Sequence, residues 1–237
     1  MKDFTLIVPT RNNELLANNF LSNILKEIEL EIILIDDNSD INIEYIEDNR
    51  ITLIKNKEKK SLTQLWNQGI KFSKTKNVII CSHKVRPTKN DILKIYSLLD
   101  QKFGMVAISG FHLFAFNKFL CTKIGMFDEG FTTGWFEDND FLNKLVVNDI
   151  SYYLSEEVYD LKGESGWLYL QSQNRNYYFS KWDENGDEII QKKKDLNYDD
   201  INYYNNLGYT IDYTGNDKRV HKIISYKEYK RYKKLFD

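Results

Sequence analysis

At 237 residues, with 33 basic and 35 acidic side chains and a net charge of -2, the chain is long enough for one cored domain, or one domain and an appendage. That balance argues against a dedicated nucleic-acid binder, which carries a clear basic excess. No stretch approaches the ~18 apolar residues of a spanning helix, and Cys81 and Cys121 stand too far apart for a zinc knuckle or a disulfide framework.

Met1-Lys-Asp-Phe-Thr5 leads directly into an apolar run with no secretory core, so a reducing cytosol is the expected location. Thr5-Leu-Ile-Val8 reads as a buried strand stopped by Pro9. Over residues 14–29 the apolar positions Leu15, Leu16, Phe20, Leu21, Ile24, Leu25 and Ile28 recur with a helical period. Glu31–Ile35 and Ile51–Ile54 are further short buried strands, Leu62–Phe72 a helix, and Val78–Ile80 a fourth strand. This alternation predicts an α/β layer with a parallel sheet. In such sheets ligands bind where the strands end in the carboxyl direction. The polar segments Thr10-Arg11-Asn12, Asp36-Asp37 and Ser82-His83-Lys84 are therefore expected to meet along one edge. No Gly-rich loop follows the first strand, which removes the dinucleotide fingerprint and the Walker loop, and no nucleophile elbow is present.

Phe127 to Phe141 sets Glu137, Asp138 and Asp140 directly after Trp135-Phe136. Carboxylates beside aromatic rings suit a site that takes a proton from a sugar hydroxyl while stacking on the sugar's apolar face. The plainer reading is the first turn of a helix, where acidic residues are favoured. The two readings are compatible. The three His, at 83, 112 and 221, do not form a metal cluster by spacing. Beyond about residue 165 the chain turns rich in Tyr and Lys. At its end Tyr226, Tyr229, Tyr232 and Leu235 recur among Lys and Arg as an amphipathic basic helix. Such a helix docks its Tyr face on the domain, with contact at an anionic membrane surface as the minority reading.

Six segments in order carry a resemblance: Ile7-Val-Pro-Thr-Arg-Asn12, Ile33-Leu-Ile-Asp-Asp-Asn-Ser39, Trp66-Asn-Gln-Gly69, Gly125-Met-Phe-Asp-Glu129, Phe136-Glu-Asp-Asn-Asp140 and Tyr178-Phe-Ser-Lys-Trp182. Together they make the chain similar to the family 2 glycosyltransferases, inverting enzymes of the GT-A fold, and to their rhamnosyltransferase-like members. The resemblance implies a nucleotide-diphospho-sugar transferase domain over 1–182, with a mostly parallel central sheet and flanking helices. Residues 183–237 form a Tyr/Lys-rich extension, expected to be helical and packed on the same domain. The implied partners are a nucleotide-diphosphate sugar donor and a glycan, lipid-linked or protein-linked acceptor, with no nucleic acid. By the same resemblance Pro9, Thr10 and Arg11 lie at the nucleotide edge, and Asp36 accepts from a base imide N–H. Asp138 is the catalytic base, with Glu137 as the runner-up. Asp140 caps the next helix or orients its neighbours, and Asn67 and Gly69 are packing residues. Trp135 is either a platform for acceptor or donor sugar or a core residue under the loop.

The pattern breaks at one place. Where the family carries an acidic metal-binding triplet before Val-x-Pro, this chain reads Cys81-Ser-His-Lys-Val-Arg-Pro87. The family's later metal-binding His is also missing, Asp160 being the nearest candidate before Gly163-Glu-Ser165. Aligning Val85 and Pro87 puts Ser82, His83 and Lys84 in the donor site. There Lys84, helped by His83 and Arg86, would stand in for the metal. No cofactor is then expected; Mn²⁺ or Mg²⁺ enters only if the altered motif still binds metal. The alternative is a catalytically inactive GT-A-like protein that binds nucleotide sugars or glycans.

Overall fold

The computed structural model describes residues 3–101, 103–132, 134, 136–156, 174, 177, 178, 181, 182 and 219–222. Strands β1 (Phe4–Thr10), β2 (Glu31–Asp36), β3 (Ile51–Lys55) and β4 (Asn77–Cys81) form a parallel half-sheet in the order β3-β2-β1-β4. The sheet continues through β6 (Leu113–Asn117), antiparallel to β4, then β5 (Met105–Ala107) and β7 (Tyr152–Glu156). Strand β8 (Arg219–Lys222) closes it, antiparallel to β7. These four residues are all that is described of the 183–237 extension; the amphipathic stretch from Tyr226, like Trp135, Asp160 and Gly163-Glu-Ser165, lies outside the described residues.

Each inner strand is an apolar run because both faces of the sheet are covered. Alternate residues go to opposite sides: Leu6, Val8, Ile32, Leu34 and Ile79 pack with α1 (Glu14–Glu27) and α3 (Lys89–Gln101). Ile7, Ile33, Ile35, Val78 and Ile80 pack with α2 (Leu62–Phe72), α4 (Leu120–Ile124) and α5 (Glu137–Val147). Asn13 starts α1 by accepting from Leu16 N at 3.2 Å, and Ser61 starts α2 through a reciprocal capping box with Gln64. At Gly69 an added Cβ would stand 2.3 Å from Ile7 Cγ2, so α2 presses on β1 at the one residue without a side chain.

Pro9 does not stop β1. It lies inside the strand, opposite Ile35 of β2. Thr10 O accepts from Asp37 N, so by alternation the Pro9 backbone faces β4. Pairing with β4 has ended by then, at Ile7 opposite Ile80, and the missing N–H costs no ladder bond.

Candidate active site

Strands β1, β2 and β4 end at the same sheet edge. The turn between β5 and β6 returns to that edge, because Leu113 pairs with Cys81. Helix α5 runs from the edge back to the start of β7, so its acidic first turn also stands there. The polar segments at the strand ends meet as expected.

On the β1–β2 side, Asn12 N donates to Ser39 Oγ at 3.0 Å, and Asp40 N donates to Asn12 Oδ1 at 2.7 Å. Both loops need a left-handed residue, Asn12 at φ 53° and Asn38 at φ 51°, a conformation Asn tolerates. Arg11 pairs with Asp40 at 3.3 Å, while its Nε and the buried Thr10 Oγ1 have no hydrogen-bond partner among the described residues. The hydrogen bond from Asn12 and the Arg11 charge hold Asp40 below the usual carboxylate range. Geometry separates the two adjacent acids. Asp37 accepts from Lys60 N at 2.8 Å and so anchors the approach to α2. Asp36 receives Ser39 N and Ser39 Oγ on Oδ1, at 3.1 and 2.6 Å, which leaves Oδ2 with no hydrogen bond among the described residues. Burial and the nearby Asp36 charge push the Tyr45 phenol well above its ordinary value.

On the β4 side, His83 Nδ1 donates to Pro9 O at 3.1 Å, tying the two strand ends together. Lys84 N donates to Ser82 Oγ at 3.3 Å, and Ser82 N to His112 O at 2.8 Å. Burial, opposed by the Pro9 bond, and the Lys84 charge lower the His83 pKa; burial and Lys84 also lower that of His112. Arg86 is exposed. A hard divalent cation seeks several oxygen ligands. Here it would meet one hydroxyl, an imidazole already committed to Pro9, and a repelling ammonium, so this donor set does not fit such an ion. Among the described residues no three His, Cys, Asp or Glu stand together as a metal site.

The acids open α5. Phe136 precedes the helix in a left-handed conformation, φ 69°, without a side-chain cap. One free N–H of the first turn is met by an acid of that turn, Asp138 Oδ1 accepting from Asn139 N at 2.8 Å. Glu137 is buried and its Oε2 has no hydrogen-bond partner among the described residues. Burial, then the Asp138 charge, drive the Glu137 carboxyl far above its ordinary range. Burial also raises Asp138, but the backbone N–H of Asn139 pulls it back. Asp138 therefore ionises first, and its charge keeps Glu137 protonated. A carboxyl raised in the folded state is stabilising below the ordinary Glu value, and that contribution is lost as pH climbs toward the folded one. Glu137→Gln is thus expected to melt higher than wild type by a margin that widens from about pH 4.5 into the alkaline range, at up to about 1.4 kcal/mol per pH unit. Thermal melts across pH check this; a constant margin would contradict a neutral buried Glu137.

Asp140 is a structural hub. Its Oδ1 accepts from Lys181 Nζ and from Trp182 Nε1 at 2.8 Å, and its Oδ2 pairs with Lys144 at 2.9 Å. Of the two roles expected for it, the side chain takes that of orienting its neighbours. Lys181 also donates to Asp128, which receives Tyr177 as well. Burial opposes the Lys181 charge, yet Asp140 and Asp128 raise its pKa. Asn67 donates to Phe127 O at 2.8 Å and accepts from Phe127 N at 3.1 Å, and the Phe127 ring stacks on Phe141 of α5 at 4.2 Å. These contacts fix the loop before α5 and hence the direction of its acids. The parts that sequence reasoning missed are His112, Ser39 and the Lys181 bridge. The apolar run Leu113–Phe116 is the one local signal that could have drawn His112 to the edge, by marking a buried strand directly after it.

Residues 5–149 match the family described as Glycosyl transferase family 2. No curated protein matches the chain. Among solved structures the chain is similar to the mannosyltransferase PcManGT from Pyrobaculum calidifontis, in complex with GDP-Man and Mn2+, at 18% identity and a TM-score of 0.52, over 63% of this chain and 53% of that one. It is also similar to TarS 1-349 of S. aureus in complex with UDP, at 16% identity and a TM-score of 0.50, over 62% of this chain and 55% of that one. The chain thus spans about half the length of these relatives. At such identities the likeness establishes the fold, the GT-A fold that the six segments imply.

Proposed function

The chain belongs to glycosyl transferase family 2, and on that footing we propose that it moves a sugar from a nucleotide-diphosphate donor to a hydroxyl acceptor with inversion and without a metal ion. The observation that carries the reading is the sorting of charge along one sheet edge. A carboxylate with an open oxygen, Asp36, stands at the end of β2, a lysine just beyond the end of β4, and the acid pair Glu137 and Asp138 opens α5.

An inverting transfer is one in-line displacement. The acceptor oxygen gives its proton to a base and bonds to the anomeric carbon as the bond from that carbon to the phosphate oxygen breaks. Asp138 is the base: it ionises before Glu137, its raised pKa makes it a better proton acceptor, and the first turn of α5 holds it rigid. The diphosphate departs toward Ser82, His83 and Lys84, where the Lys84 ammonium offsets the developing charge. His83 acts mainly by fixing Pro9, while Thr10 Oγ1 and Arg11 Nε remain for donor contacts. Asp36 Oδ2 accepts from the base imide. Trp135 is proposed as a sugar platform, residues 1–182 as the catalytic unit, and residues 183–237 as an extension packed on the same domain, with contact at a membrane surface as the minority reading. No helix among the described residues is long and apolar enough to cross a membrane.

The test is to incubate the protein with UDP-, dTDP- and GDP-sugars and to follow release of the nucleoside diphosphate. Release from one donor class is expected. Tight binding of a donor with no release, with or without added glycans, would overturn catalysis in favour of a nucleotide-sugar-binding protein.

A further inference from the structure

We propose that His112 is a second donor-side contact to the diphosphate, acting with Lys84 from the opposite side of the β4–β6 pair. The inference rests on the glycosyltransferase reading above and adds a residue to it.

The register places His112 there. Ile80 pairs with Phe114 and Cys81 with Leu113, so Ser82 stands opposite His112, and Ser82 N donates to His112 O at 2.8 Å. Opposite residues in an antiparallel pair turn their side chains to one face. Two residues further in, Ile80 and Phe114 point into the core beneath α2 and α5. Ser82 and His112 therefore continue that face at the edge, on the same side of the sheet as the acid pair of α5. The Lys84 backbone is tied back to Ser82 Oγ, and the Lys84 charge is felt at the imidazole.

The turn that carries His112 is rigid. His112 N donates to Ser109 O at 3.1 Å, Gly110 N to Ser155 O at 3.0 Å, and Ser155 Oγ to Ile108 O at 3.1 Å. Gly110 takes φ +51°, where a side chain would be strained. Phe111 packs against Trp66, and against Phe141 at the start of α5, so the turn is fixed to the element that holds the acids. The residue is exposed while its imidazole is partly screened by the protein, and the ring makes no hydrogen bond among the described residues. Either tautomer of an imidazole carries one N–H. That N–H can donate to a phosphate oxygen that Lys84 already attracts. Two groups from different strands then hold the leaving diphosphate between them.

The test measures the affinity of wild type, His112→Ala and His112→Lys for UDP, UMP, GDP and GMP by titration calorimetry. For whichever base the protein binds, His112→Ala should weaken the diphosphate about tenfold or more and leave the monophosphate within about twofold. His112→Lys should restore most of the diphosphate affinity. Equal losses for diphosphate and monophosphate, or no loss for either, would overturn the assignment. If His112→Ala is unstable, a folded His112→Lys that binds UDP or GDP no better than its monophosphate overturns it equally. Wild type that binds none of the four, and no dTDP either, removes the glycosyltransferase reading along with it.

Discussion

Asp138→Asn is expected to lower sugar transfer by ~10²–10⁴-fold while leaving donor affinity within about twofold. The change removes a proton acceptor but keeps the shape and the oxygen that receives Asn139 N, so the first turn of α5 should survive. A base that acts only on the acceptor contributes to the transition state and little to donor binding, and the loss should fall on kcat. Glu137→Gln is the control. Glu137 is buried, lacks a partner on Oε2 among the described residues and stays protonated beside ionised Asp138, so its amide should transfer sugar at a rate within about tenfold of wild type. The reverse ranking, with Glu137→Gln inactive and Asp138→Asn active, would move the base to Glu137. Because burial raises the Asp138 pKa, the rate of wild type should climb with pH through a value above the ordinary carboxyl range and then level off.

The second large effect belongs to Lys84. Lys84→Ala is expected to cost ~10²–10³ in turnover, the scale on which one preorganised group at a developing charge acts. Two features of the site set this expectation. Ser82, His83 and Lys84 offer no carboxylate for a hard cation, and the Lys84 backbone is tied to Ser82 rather than free in a loop. Lys84→Arg should recover part of the rate, because the charge persists on a differently shaped head. An unchanged rate in Lys84→Ala would leave the leaving group without its proposed partner.

Much of the first half of the fold was legible because β1, β2, β3 and β4 are apolar runs ended by polar residues, and α2 keeps one helical stripe from Leu62 to Phe72. Pro9 misled because its cost depends on which side its backbone faces, a fact fixed by β4 ending at Cys81 and pairing only up to Ile7. Strand β5 is three residues long, too short for a period. The candidate site was legible where one segment holds the proposed chemistry. Glu137 and Asp138 opened a helix, as acidic residues crowded into one turn suggested. It was not legible where partners lie far apart in sequence. Asp36 and Asp37 look alike until Lys60 claims one and Ser39 occupies an oxygen of the other. His112 reaches Ser82 only through the β4–β6 register, and Lys181 reaches Asp140 only once the loop is folded.

Turnover of the preferred donor by metal-stripped protein in excess EDTA, measured beside the same protein with added Mn²⁺, tests the central claim most directly. With Lys84 holding the diphosphate, the two rates should agree within about twofold, and Lys84→Ala should be slow in both. Turnover that vanishes in EDTA and returns with Mn²⁺, while Lys84→Ala remains as fast as wild type, would contradict the account.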